Sequence, residues 1–273
     1  MDKNTQKTTS FKFSGFSGDI VWYLGAIKQV CEDMNTKAEI YIWLNQPGKS
    51  YEGADHPYGE VMVTRYAFDM LKPLVMRQDY VGSFEPWNGE KITVDMDQLR
   101  QVIVGMPYGN LAHWIGMKFI DMQPDWSQPW LQPSRVRITK SDIEHKIIVN
   151  RTTRFRNHNI SYFFLKDYQD HILFAGLPIE HEAFNKEWSL KTDYLQVTDF
   201  LDLTDQINEC KFFLGNQSMC FAIDEGVKKP RILEVCVYAP NVHPVGQYAH
   251  YFSTQEGVVN LTAMLDRVFT KTI

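Results

Sequence analysis

The sequence predicts an α/β fold divided into two domains. Short apolar runs of strand length alternate with stretches of helical periodicity, the pattern of parallel, doubly wound sheets. An interval holding Pro124, Trp126, Pro129, Trp130 and Pro133 separates two such sets. The length, 273 residues, accommodates one large domain or two small ones.

Taken in order, residues 1–10 are polar and read as a disordered tail. A strand is expected over residues 11–14, followed by a glycine-containing turn at 15–19. A helix then runs to about Cys31, because Ile20, Tyr23, Leu24, Ile27, Val30 and Cys31 recur at helical spacing. Residues 38–44 form an apolar strand closed by the turn cluster 45–48. Strand–helix–strand is the unit of a parallel sheet. Residues 61–76 are partly helical, and Pro73 is expected to bend or end that helix. Residues 91–94 and 101–104 have strand character, and 121–134 form an extended linker packed by its aromatics. In the second half, strands are expected at 146–150, 172–175, 195–197, 212–214 and 231–235. Helices are expected at 199–210 and 218–227, with a closing helix at 258–269. The expected domains are residues 11–140 and 141–273.

Composition narrows the function classes. The chain is 44% hydrophobic and 22% charged, which is ordinary for a globular protein. A net charge of −5 argues against a duplex-DNA binder, which carries a basic excess or stripe. The four cysteines form no C-x-x-C pair, so a zinc site is not expected. The N-terminus has no signal-peptide core, and no run approaches the roughly 18–20 apolar residues of a membrane span. The expectation is a cytoplasmic protein with reduced cysteines and no membrane span.

Ligands of parallel α/β sheets bind where strands end and helices begin, because unpaired N–H groups and the positive end of the helix dipole point there. The turn Gly215-Asn216-Gln217-Ser218 follows an apolar strand and precedes a helix. It suits a phosphate, although the same residues also suit simple helix capping. The strand before Val235 ends in Glu234, a carboxylate positioned to accept ribose hydroxyls. In Ser17-Gly18-Asp19 a carboxylate sits at a helix N-terminus. Its pKa is expected to be depressed, and its role is either a cap or a general base. Arg151, Arg154 and Arg156 follow a strand directly and match the oxygens of a diphosphate, or else form a solvated loop. Gly176 lies at another strand end, with Glu180 and Glu182 close behind it.

At these motifs the chain resembles glycosyltransferases of the GT-B architecture, the heptosyltransferase-like family in particular. The family opens with a strand, a turn containing Gly-Asp and a helix, matched here by Ser17, Gly18 and Asp19 and then by Gly25-Ala26-Ile27. Its donor domain carries a polar turn and a helix with A-x-x-x-G-x-P, matched by residues 213–218 and by Ala222, Gly226 and Pro230. The order and spacing of the motifs span both ends of the chain. The resemblance implies two Rossmann-like domains facing across a cleft, the N-terminal one for a carbohydrate or glycolipid acceptor and the C-terminal one for a nucleotide-sugar. It implies Asp19 as base and donor-phosphate contacts from Arg151, Arg154 and residues 216–218. The chemistry expected from these residues is inverting transfer; with the arginines and the helix dipole to meet the leaving charge, no metal and no resident cofactor are expected. Heptosyltransferases often carry Asp-Ser-Gly where this chain has Asn216-Gln217-Ser218.

Other chemistries lack their signatures. No carboxylate pair stands out for glycoside hydrolysis, no G-x-G-x-x-G follows a strand, and no P-loop is present. A non-catalytic nucleotide-sugar-binding or interaction protein of the same fold remains as an alternative. So does a transferase acting on modified DNA, with Arg65, Lys72, Arg77, Lys118, Arg135 and Arg137 as its basic residues. On the acceptor side the candidates are His56, His113, Tyr108, Trp87, Trp114, Trp126 and Trp130, each of which also suits core packing.

Overall fold

The structure, a computed structural model, describes residues 7–48, 59, 61–100, 109–134 and 143–270. The first half contributes β1 (Thr8–Phe13), α1 (Ser17–Met34), β2 (Lys37–Ile42), α2 (Arg65–Met76), β3 (Val81–Pro86), β4 (Val94–Asp95) and α3 (Leu111–Lys118). The second half contributes β5 (Ile147–Asn150), β6 (Ile172–Phe174), α4 (Pro178–Trp188), β7 (Asp193–Tyr194), α5 (Phe200–Glu209), β8 (Phe212–Asn216), α6 (Met219–Val227), β9 (Arg231–Glu234), β10 (Ala249–Phe252) and α7 (Gln255–Thr270). Two parallel sheets result, ordered β3-β2-β1-β4 and β10-β9-β8-β5-β6-β7. The second is the doubly wound order, and it reverses direction between β5 and β8.

Alternation along the strands decides the layering. In the second sheet Ile148, Phe213 and Leu233 point to one face, where they join Leu203 and Ile207 of α5 and Phe221 and Ile223 of α6. Ile147, Val149, Phe212 and Ile232 point to the other face, against Phe184 of α4 and Val258 and Leu265 of α7. In the first sheet Phe11, Phe13, Ile40, Ile42 and Phe84 face α1 and α2 and belong to the same cluster as α5 and α6. The helices α1, α2, α5 and α6 are therefore sandwiched between the two sheets, with one continuous core running through them.

The expected linker has no helix or strand between residues 121 and 134. Its Trp126 and Trp130 pack on Trp22 of α1, with ring centroids 5.9 and 5.4 Å away. Trp130 Nε1 donates to Val21 O at 2.9 Å, and the amides of Trp130 and Leu131 donate to Gly226 O.

Some expectations need correction. Residues 8–10 are strand rather than tail, because they pair in register with residues 37–39. Pro73 does not end α2 on the spot: the helix continues to Met76, since one missing N–H in a last turn is tolerated there. The strand expected at 195–197 is instead Asp193–Tyr194, paired with Leu173 and Phe174. The strand expected at 101–104 lies outside the described residues. β3, β10 and α3 were not anticipated. All four cysteines are buried and free. Among the described residues no helix is long and apolar enough to cross a membrane.

Candidate active site

The carboxyl ends of the two sheets meet at one edge. β1 turns through Ser14-Gly15-Phe16 into α1, and β8 turns through Gln217-Ser218 into α6. The two helix N-termini abut: a Cβ on Gly18 would lie 3.7 Å from Ser218 O and Met219 Cα. Unpaired first-turn N–H groups and two positive dipole ends therefore converge on one region.

Asp19 sits there, in the first turn of α1. It is half-buried, and two arginines act on it, Arg100 from beyond β4 and Arg154 from the second half of the chain. A Cβ on Gly15 would meet Arg100 Nη2 at 3.1 Å and Asp19 Oδ2 at 3.4 Å, so both groups lie against the Gly15 backbone. Burial pushes the Asp19 pKa above the usual carboxylate value; Arg100, Arg154 and the Phe16 amide offset part of that shift. This reverses the expected depression: desolvation outweighs the helix dipole and both cations. One turn on, burial and then the charge of Asp19 push the Tyr23 hydroxyl well above its ordinary value, so it stays a phenol.

Arg154 spans the two halves. Its guanidinium lies 5.0 Å from the ring centroid of Phe16, and Asp19 and Glu180 attract it. The loop that carries it is splinted by Asn216, whose Oδ1 accepts from Thr152 N at 3.0 Å and whose Nδ2 donates to Arg154 O at 2.6 Å. Phe155, next to Arg154, adopts a left-handed backbone with φ of 52°, a conformation a bulky residue holds only when its surroundings impose it.

The other arginines face inward. Arg151 is 1% exposed and donates from Nε to Glu234 Oε2 at 3.0 Å, with its guanidinium 4.6 Å from the Tyr162 ring. Glu234 also accepts from the Tyr162 hydroxyl at 2.7 Å and from Asn157 N. The expected ribose and phosphate ligands Glu234 and Arg151 are thus engaged with each other inside the fold. The β8–β9 register causes this by setting fully buried Glu234 opposite Asn216. Arg156 donates to Thr152 O at 2.7 Å and pairs with Glu187 at 3.4 Å.

The remaining candidates have structural placements. Gly215 lets β8 approach β5, since a Cβ there would lie 2.7 Å from Asn150 O. Gly176 has a φ of 151° and adjoins Glu180, which accepts from Leu177 N and Thr153 N at 3.0 and 3.2 Å. Gln217 donates to Asn241, and its buried Oε1 has no partner. Ser218 caps α6, accepting from Phe221 N at 3.1 Å.

Of the acceptor-side candidates, Trp114 and Trp130 are core. His113 and Trp126 border a recess of about 410 Å³ between α3 and the linker. His56, Tyr108, Arg135 and Arg137 lie outside the described residues. Arg65 pairs with Asp69 and Lys72 with Glu85, and Arg77 donates to Pro133 O. Among the described residues no group of three or more His, Cys, Asp or Glu is placed to hold a metal. Sequence reasoning missed Arg100, Phe16 and Tyr23. Tyr23 was legible as the residue one turn after Asp19, whereas Arg100 enters only through the tertiary fold.

No family model matches the sequence, and none of the curated proteins matches it either. Solved structures do match. A glycosyl transferase family 9 protein from Veillonella parvula superposes with a TM-score of 0.60 at 9% identity, covering 96% of this chain and 98% of its own. The E. coli ADP-heptose lipopolysaccharide heptosyltransferase II gives a TM-score of 0.56 at 13% identity over 96% and 99% of the two chains. The E. coli heptosyltransferase WaaC with ADP gives 0.53 at 10% identity over 96% and 99%. With two parallel sheets packed through a shared helix layer and near end-to-end superposition on these proteins, the chain has the GT-B fold of the heptosyltransferase-like glycosyltransferases.

Proposed function

We propose that the chain is an inverting glycosyltransferase that moves a sugar from a nucleoside-diphosphate donor to an acceptor hydroxyl. The observation that carries this reading is the convergence of Asp19 and Arg154 on the abutting N-termini of α1 and α6. Asp19, with its affinity for a proton raised by burial, takes the acceptor proton as the hydroxyl oxygen attacks the anomeric carbon. The bond from that carbon to the diphosphate oxygen breaks, and the leaving group carries the electron pair away. Arg154 and the first-turn amides of α6 receive the growing negative charge, so the reaction needs no metal. Arg151, Glu234 and Arg156 hold the loop that positions Arg154 and act at one remove from the donor. The likeness to a heptosyltransferase solved with ADP supports a nucleotide as part of the donor.

A thermal-shift panel of nucleoside diphosphates tests the donor half, because a ligand of the native state raises the melting temperature. One base is expected to give a clear shift that Arg154→Ala abolishes. Asp19→Asn is expected to keep that shift while turnover of labelled nucleotide-sugar in excess EDTA falls about 10²–10⁴-fold. Full activity in Asp19→Asn would remove the residue from the mechanism, and loss of turnover in EDTA would remove the metal-free step.

A further inference from the structure

The polar face of the first sheet carries a cluster that the transferase reading does not use. Parallel sheets are ordinarily covered on both faces. Among the described residues, α1 and α2 cover one face, while the other carries Ser10, Tyr41, Asp95 and the largely buried Lys12. At its carboxyl end two tryptophans meet edge to face, Trp43 after β2 and Trp87 after β3, with centroids 5.1 Å apart. The Lys12 ammonium lies 5.3 Å from one ring and 5.1 Å from the other. It pairs with Asp95 at 2.8 Å and stands 3.7 Å from Asp97. Trp43 nevertheless remains 41% exposed, and the Asp95 side chain 37%.

We infer that Trp43, Trp87, Asp95 and Asp97 form a subsite for an uncharged or amino-bearing pyranose, the acceptor sugar of the reaction. An exposed indole offers a flat apolar surface to the C–H face of a pyranose. Carboxylates fixed by a lysine offer acceptors to its hydroxyls. The charge sets the class. Lys12 is cancelled by Asp95, which leaves Asp97 in excess, with Glu90 close by at Tyr41. An acidic sugar meets repulsion there, and a neutral or amino sugar does not. The position fits as well: Asp97 accepts from Ser14 N at 2.8 Å, so the platform adjoins the turn that leads to Asp19. This inference rests on the transferase reading for the role of the sugar, but its binding is measurable without turnover.

The test uses the full chain labelled with ¹⁵N at its indoles, titrated with cellobiose, D-glucosamine and D-galacturonate. Trp43→Phe and Trp87→Phe spectra assign the two indole signals. Cellobiose or glucosamine is expected to move both signals, and galacturonate to move neither. Trp43→Ala should weaken the titration about tenfold, with Trp43→Tyr retaining most of the affinity. Movement of other indoles only, no movement with any of the three sugars, or galacturonate binding as tightly as cellobiose overturns the subsite. A nucleoside-diphosphate shift alongside silent Trp43 and Trp87 signals discards the subsite and leaves the transferase reading standing. Sugar binding with no nucleotide response does the reverse.

Discussion

Asp224 couples the stability of this chain to pH. It lies in α6, fully buried, and neither carboxyl oxygen has a hydrogen-bond partner. Burial pushes its pKa well above the usual carboxylate value; Arg231 opposes this, but that guanidinium is already paired with Glu225. The folded state therefore holds a proton that the unfolded chain releases at ordinary carboxylate pH. Stability is greatest below the unfolded value, near 3.8, and falls as pH rises toward the folded value. Asp224→Asn keeps the shape and removes the titration. Its melting temperature should exceed that of the parent at pH 7 by several degrees, with the gap closing as pH approaches 4. A gap independent of pH would mean that Asp224 is paired in solution. Asp19, the base of the proposed transfer, gives a second case. Since burial already lifts its pKa and Arg100 pulls it back, Arg100→Met should move the acid limb of kcat/KM to higher pH. Asp19 itself was legible from Gly-Asp before an apolar helix. Its protonation behaviour was not, because desolvation and Arg100 belong to the fold and not to neighbouring positions. The arginines at 151–156 illustrate the same limit: their spacing gave no means of telling Arg154, which reaches Phe16, from Arg151, which is held by Glu234 some eighty positions away.

Among the elements, those with strong local periodicity were readable and those made by pairing were not. β1, α1 and β2 announce themselves through apolar spacing, and Asp199 and Ser218 do cap α5 and α6 as their types suggest. β3 and β10 are edge strands of mixed composition, defined by their partners β2 and β9. Gly226 shows how a motif position acquires its meaning only in three dimensions. It lies near the end of α6, and a Cβ there would stand 2.5 Å from Leu131 Cδ1 and 2.6 Å from Leu131 Cγ. Its carbonyl also receives the amides of Trp130 and Leu131, so the linker docks on α6 at this residue. Gly226→Ala should improve helix propensity yet lower stability by about 1–3 kcal/mol, because overpacking displaces the linker. Urea denaturation of the two proteins measures it, and an unchanged or higher midpoint would show that the linker is loosely held.

At the scale of the molecule, the two halves share one interior. The cluster containing Phe11 and Phe13 of the first sheet continues through α1 and α2, across Trp130 and Leu131, into α5, α6 and Phe213 of the second sheet. Neither half can unfold without exposing the apolar face of the other. The chain should therefore melt in a single calorimetric transition whose van't Hoff and calorimetric enthalpies agree. A nucleoside diphosphate bound beside α6 should raise that whole transition, because stabilisation at one helix N-terminus is shared by every layer packed against it. Two resolved transitions, only one of them shifted by nucleotide, would show that the tryptophan-lined seam parts on its own. The abutting helix ends that hold Asp19 opposite Arg154 would then be a product of ligand binding and not of the fold.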